Sequence, residues 1–115
     1  MSTIDKQNNV ATLINVFTVA PENQQKLVDM LTGATESTMK NIAGFISASI
    51  HKSLDGERVV NYAQWRSAED FKAMTKMPEA QAHIKQISEI ATPDFHLYEV
   101  AEAFEVPIAA GKSTS

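Results

Sequence analysis

The sequence predicts an α+β domain with the ferredoxin-like β-α-β-β-α-β order, an antiparallel sheet carrying its helices on one face. Three observations lead there. Apolar, β-branched runs recur four times along the chain; segments with helical spacing separate the first from the second and the third from the fourth; and Asp55-Gly56, a strong hairpin signal, lies between the second and third. Strands and helices in that order form an open sheet with one covered face.

The first strand is "VATLINVFTVA". Side chains alternate along a strand, so Leu13, Asn15, Phe17 and Val19 share one face and Thr12, Ile14, Val16 and Thr18 the other. Both faces are apolar enough to predict two-sided burial. Pro21 then opens a helix, with Glu22 near its positive end. In "ENQQKLVDMLTGATESTMKNI", Leu27, Leu31, Ala34, Thr38 and Ile42 recur at helical spacing, and Gly44 is a left-handed terminator.

"FISASIHKS" and "RVVNYAQWRS" flank "LDGE" and are expected to pair as antiparallel neighbours. Ser67 with Asp70 forms a capping-box pattern ahead of a short helix, "AEDFKAMTK". Pro78 ends that helix and starts "EAQAHIKQISEIA", whose expected buried stripe is Ala80, Ile84, Ile87 and Ala91. Pro93 is expected to stop it, leaving "FHLYEVAEAFEV" as the last strand. Residues 1–9 read as a disordered lead, 10–106 as the domain and 107–115 as a flexible tail.

The sheet face turned away from the helices needs cover as well. It carries either Ile14 and Val16, or Ile46, Ala48 and Ile50, depending on which face is inward. A second copy packing sheet against sheet supplies that cover, so a homodimer is expected.

Composition narrows the function. With 115 residues, 43% hydrophobic and 21% charged, the chain fits one domain with a core. A net charge of −4 with ten scattered basic residues argues against nucleic-acid binding. The absence of cysteine removes disulfides, thiolate nucleophiles and thiolate metal sites. No apolar run reaches membrane-spanning length and the N-terminus lacks a signal-like core, so a cytoplasmic location is expected. The four glycines form neither a dinucleotide nor a P-loop pattern, and no nucleophile elbow occurs. His51, His83 and His96 lack metal-ligand spacing.

Two asparagines stand out. Asn61 shares a strand face with Ala63 and Trp65, and Asn15 lies in the first strand. Asparagine is disfavoured in strands, and a buried amide requires partners. In this plan the first and third strands are the central pair, so the two amides either bond to each other or floor a common pocket. Trp65 reads as core aromatic or pocket wall. His83, one position before Ile84, reads as a half-buried helix residue or as a pocket acid or base, because histidine titrates near neutrality.

With "NYAQWRSAEDFKAM" and "PEAQAHIKQI", the chain from Val10 to Phe104 resembles the antibiotic biosynthesis monooxygenase family of small dimeric α+β barrel proteins. The resemblance implies oxygenation by dioxygen of a phenolic, anthrone or hydroquinone-type aromatic to a quinone, without metal, flavin or other cofactor. It implies catalytic roles for Asn61, as donor to a phenolate or peroxide, and for Trp65, as wall or indole donor. Asn15, Phe17, Phe71, Met74 and His83 would bind substrate. Where such oxygenases often carry a tyrosine and an arginine, this chain offers Phe71, His83 and Lys85. A sibling branch that degrades haem places an Asn and a His near Asn15 and His83, but Met74 stands where its helical Trp belongs. A non-catalytic small-molecule-binding dimer is the third alternative.

Overall fold

The structure, a computed structural model, describes residues 10–107; the expected N-terminal lead and most of the expected tail lie outside them. The element order is β1 (Ala11–Val19), α1 (Gln24–Ser37), β2 (Phe45–Lys52), β3 (Arg58–Trp65), α2 (Ala68–Thr75), α3 (Pro78–Ser88) and β4 (Ala91–Tyr98). The strands form one antiparallel sheet in the order β2-β3-β1-β4, which is the ferredoxin-like arrangement with β1 and β3 at its centre.

Some boundaries differ from expectation. The first helical segment is broken: 3-10 turns at Pro21–Asn23 and Met39–Asn41 flank α1. Gly44, at φ +92°, follows the second of these turns and not the α-helix itself. Pro93 does not stop α3. The helix ends at Ser88, and Pro93 lies inside β4 opposite Phe17. β4 is an edge strand, so the missing proline N–H removes no interior ladder bond. Residues 99–106, expected as strand, have no regular structure.

Register decides which side chains meet. Residues opposed in an antiparallel ladder point to one face, giving the helix-side rows Pro93–Phe17–Val59, Phe95–Asn15–Asn61–Ile50 and Leu97–Leu13–Ala63–Ala48. A bulge between Phe45 and Ser47 shifts β2, turning Ala48 and Ile50 to the helix side and leaving Ile46 48% exposed. The other face carries Ile14 and Val16 beside Tyr62 and Val60, all half-buried.

Two hydrophobic clusters fill the space between helices and sheet. One holds Phe17, Val19, Leu27, Leu31, Val59, Ile87 and Ala91. The other holds Leu13, Ala63, Trp65, Phe71, Met74 and Ala80. The asparagine row lies between them, so the core is split by a polar stripe.

The start of α2 is fixed by a compact polar node. Ser67 Oγ accepts the Asp70 N–H at 3.1 Å, the N-cap half of the capping box expected from sequence, and donates to Asp70 Oδ2 at 3.0 Å. Arg66 grips the same carboxylate with Nε and Nη2 at 2.8 and 3.1 Å, and its own N–H reaches Gly44 O at 2.7 Å. A Cβ at Gly44 would stand 2.5 Å from Asp70 Cγ, on a backbone at positive φ.

Ser67→Ala is expected to cost about 1 kcal/mol in urea unfolding, and Gly44→Ala more, because it adds a clash to an unfavourable backbone. The hydrogen bond from Arg66, then that from Ser67, holds the Asp70 carboxyl below the ordinary carboxylate range. Its stabilising contribution is therefore complete above the unfolded value and fades as pH falls through the lowered folded one. Asp70→Asn should flatten that acid limb of the stability profile; an unchanged limb refutes the assignment.

Candidate active site

β1 and β3 place Asn15 and Asn61 directly opposite each other. Such pairs stand about 5 Å apart at Cβ. Both are half-buried, and both carboxamide oxygens are buried without a hydrogen-bond partner. The amides thus do not saturate each other. They form the floor of a cavity under the helices, whose wall includes Leu13 and Phe17 of β1, Leu31 and Ala34 of α1, Phe71 and Met74 of α2, and His83, Ile84 and Ile87 of α3. Pro93 and Phe95 of β4 close one side.

The cavity measures about 140 Å³. A comparable engineered cavity of about 150 Å³ accepts a benzene ring. Ile84 and Phe95 are both lining residues and 43% and 48% exposed, so they mark its mouth. Ile84, expected in the buried stripe, is therefore a rim residue. Asn15, Phe17, Asn61, Phe71, Met74 and His83 all come together here.

Trp65 does not. It shares the strand face of Asn61, but four residues of strand separate them by roughly 13 Å. It is 2% exposed in the second cluster, edge-on to Phe45 at 5.4 Å and to Phe71 at 6.1 Å between ring centroids. Phe71 in turn meets Phe95 at 6.0 Å. Trp65 is absent from the lining and backs a wall residue, where its indole N–H finds no partner. Lys85 is exposed and outside the lining. His51 and His96 lie on the opposite sheet face, bonded to Ser49 and Asp94 at 3.0 and 3.1 Å.

Sequence reasoning missed Thr38. It caps the end of α1, where its N–H reaches Ala34 O at 3.0 Å, and its buried side chain bonds His83 Nε2 at 3.0 Å. The signal was its place on the apolar stripe of the first helix, a polar residue at an inward position. Phe95 was missed too: it was placed on the last strand but not in the row of Asn15, which only the β1–β4 register reveals. Among the described residues, no group of three or more His, Cys, Asp or Glu side chains is placed to hold a metal ion. No helix among them is long and apolar enough to cross a membrane.

Comparison with known proteins agrees with this architecture. The chain is 45% identical over 104 residues to tetracenomycin-F1 monooxygenase of Streptomyces glaucescens, covering 90% of this chain and 93% of that one. The crystal structure of a monooxygenase from the gene ActVA-Orf6 of Streptomyces coelicolor, in complex with nanaomycin D, superposes with TM-score 0.78 at 28% identity, over 90% of this chain and 96% of that one. An anthrone oxidase-like protein matches with TM-score 0.78 at 29% identity, over 85% of this chain and 42% of that longer one. Residues 11–86 match the family described as antibiotic biosynthesis monooxygenase. With its ferredoxin-like sheet and cavity between sheet and helices, the chain belongs to the antibiotic biosynthesis monooxygenase family.

Proposed function

We propose that this protein is a monooxygenase that binds a polycyclic phenol, anthrone or hydroquinone in the helix–sheet cavity and oxidises it with dioxygen to a quinone. The observation that carries this reading is the pair of unpartnered amides on the floor of an otherwise apolar cavity. A buried polar group left unsatisfied costs about 1–3 kcal/mol. Both unpaired atoms are carboxamide oxygens, which accept, so a ligand whose hydroxyl groups donate to them accounts for the pair. The relatives' names point to the same chemistry: tetracenomycin-F1 monooxygenase and an anthrone oxidase-like protein.

The lining supports the following roles. One aromatic ring fills the inner cavity against Phe17, Phe71 and Met74, and further fused rings extend toward Ile84 and Phe95. Asn61 and Asn15 hydrogen-bond the oxygen substituent at the reacting ring. As the substrate anion gives electrons to dioxygen, negative charge develops beside them, and amide donors held in a dry site stabilise it. Trp65 acts at one remove, by fixing Phe71.

A second copy completes the molecule. The sheet face away from the helices presents Ile14, Val16, Val60 and Tyr62 in two adjacent rows, and face-to-face sheet packing buries such a surface. The expected assembly is a homodimer. Val16→Glu should convert it to a monomer in gel filtration at micromolar concentration; a monomeric wild type removes the proposal.

Oxygen uptake with a panel of anthrones and hydroquinones tests the activity. The expected result is uptake above buffer by wild type and a fall of about 10²–10³-fold in Asn61→Leu. The same substitution should raise stability by about 1 kcal/mol, or ~4 °C in Tm, since it removes an unsatisfied amide. Wild-type uptake equal to buffer overturns the oxygenase reading. A Soret shift with haemin that His83→Ala abolishes transfers the site to haem degradation.

A further inference from the structure

The cavity holds many apolar side chains and one ionisable group. Among the described residues no Asp, Glu, Lys or Arg lines it, and His83 is the one lining side chain that takes up or releases a proton. On the far side of His83 lies a second depression, between α1 and α3, lined by Asp29, Met30, Gly33, Ser37 and Gln86. Asp29, Gly33, Ser37 and Gln86 are exposed, so this groove is open to solvent. Three residues line both spaces: Ala34, His83 and Ile87. They are the partition between cavity and groove, and His83 is its only polar member.

The ring is held in one orientation. Nε2 lies 3.0 Å from Thr38 Oγ1, and Thr38 Oγ1 lies 3.3 Å from Ser37 Oγ. Thr38 is 7% exposed, while Ser37 faces the groove. Nδ1 has no hydrogen-bond partner among the described residues. When Nε2–H donates to Thr38, Nδ1 carries the free lone pair.

We propose that His83, Thr38 and Ser37 form a proton relay that ionises the substrate. His83 is the general base, and Thr38 and Ser37 carry the proton from the closed cavity to water in the groove. This rests on the phenol-oxygenase reading above. The substrate O–H bond breaks and its electron pair stays on the substrate oxygen. The proton forms a new bond to Nδ1. Nε2 releases its proton to Thr38 Oγ1, whose own hydroxyl proton passes to Ser37 Oγ and then to groove water. The imidazole ends neutral, as its other tautomer; it resets when Nδ1 gives its proton to the reduced-oxygen anion that forms in the cavity and Nε2 takes one back from groove water through Ser37 and Thr38. The product of the step is the substrate anion, the species that gives electrons to dioxygen. No other oxidant enters.

Steric closure makes such a path useful. A ring seated against the asparagines fills the inner cavity, so its hydroxyl has no bulk water beside it. A base that touched only the cavity would trap the proton next to the forming anion. His83 touches both sides. Asp29, across the groove on α1, is the charged group lining the space that receives the proton, and its carboxylate oxygen is bonded to Gln25 Nε2 at 3.0 Å.

The test is oxygen uptake by the full-length protein with a hydroxylated anthrone, measured as a function of pH. At neutral pH, His83→Gln should lower kcat by about 10²–10⁴-fold while KM changes less than about threefold. The loss should disappear as pH rises through the substrate's own ionisation, because a preformed anion needs no base. Thr38→Val should show the same pH-dependent loss in weaker form, and Thr38→Ser should restore it; melting temperatures of all variants establish that they are folded. Ser37→Ala should lower kcat least, with an altered solvent deuterium effect. If wild type turns over and His83→Gln matches it at every pH, the relay is wrong and the oxygenase stands. If Thr38→Val loses activity equally at all pH values, Thr38 is only structural and the relay through it fails. If wild type consumes no oxygen above buffer with any anthrone, both the oxygenase reading and the relay fall.

Discussion

The register between β1 and β3 is the constraint on which the rest of the site depends. It sets Asn15 opposite Asn61, Phe17 opposite Val59 and Leu13 opposite Ala63. A slip of β1 by one residue would send Asn15 to the opposite face, away from Asn61, and bring Ile14 and Val16 inward. The apolar rows on either side of the asparagines resist that slip, because each belongs to a separate hydrophobic cluster. The polar pair is thus held in place by its neighbours and contributes little to its own positioning.

The same arrangement explains why a cavity exists at that spot. The two clusters are anchored by different elements: α1 with the end of α3 for one, and α2 with the start of α3 for the other. Between them the sheet offers amides, which the helices cannot pack against without stranding polar atoms. Packing is completed on both sides and left open in the middle. The node around Asp70 matters for the roof, since it fixes the first turn of α2 and so the direction in which Phe71 and Met74 enter. Gln24 plays a matching part at the other end, donating from Nε2 to both Ser53 O and Arg58 O at 3.0 Å and tying α1 to the β2–β3 hairpin.

Much of this was legible in the sequence. Period-2 alternation and element order were enough to place Asn15 and Asn61 on the central strands and on one face, and the Ser67–Asp70 cap was readable as a motif. What failed were inferences that needed a third dimension. Trp65 shares a face with Asn61, but sharing a face is not proximity. Along a strand each pair of residues adds nearly 7 Å, and two pairs carried the indole out of reach. Pro93 was misread because its tolerance depends on β4 being an edge, a property of sheet order and not of the local sequence. Thr38 was visible as a polar residue on an apolar stripe, but its partner lies 45 positions away.

None of the described lining residues carries a fixed charge, and this bears on the proposed catalysis. A permanent cation on the cavity wall would bind a preformed phenolate from solution and stabilise it in the ground state, lowering KM without lowering the barrier that follows. Neutral amides and an imidazole do otherwise. In the proposed oxygenase they admit the neutral phenol, whose desolvation is mild, and the anion forms only after the ring is seated. Its electrons then face a partner, dioxygen, that becomes negatively charged as they leave. Amide donors that interact weakly with a neutral phenol and strongly with growing negative charge stabilise the later state more than the earlier one. An apolar wall with Asn15, Asn61 and a single histidine is therefore suited to an oxygenase that uses the substrate's own electrons.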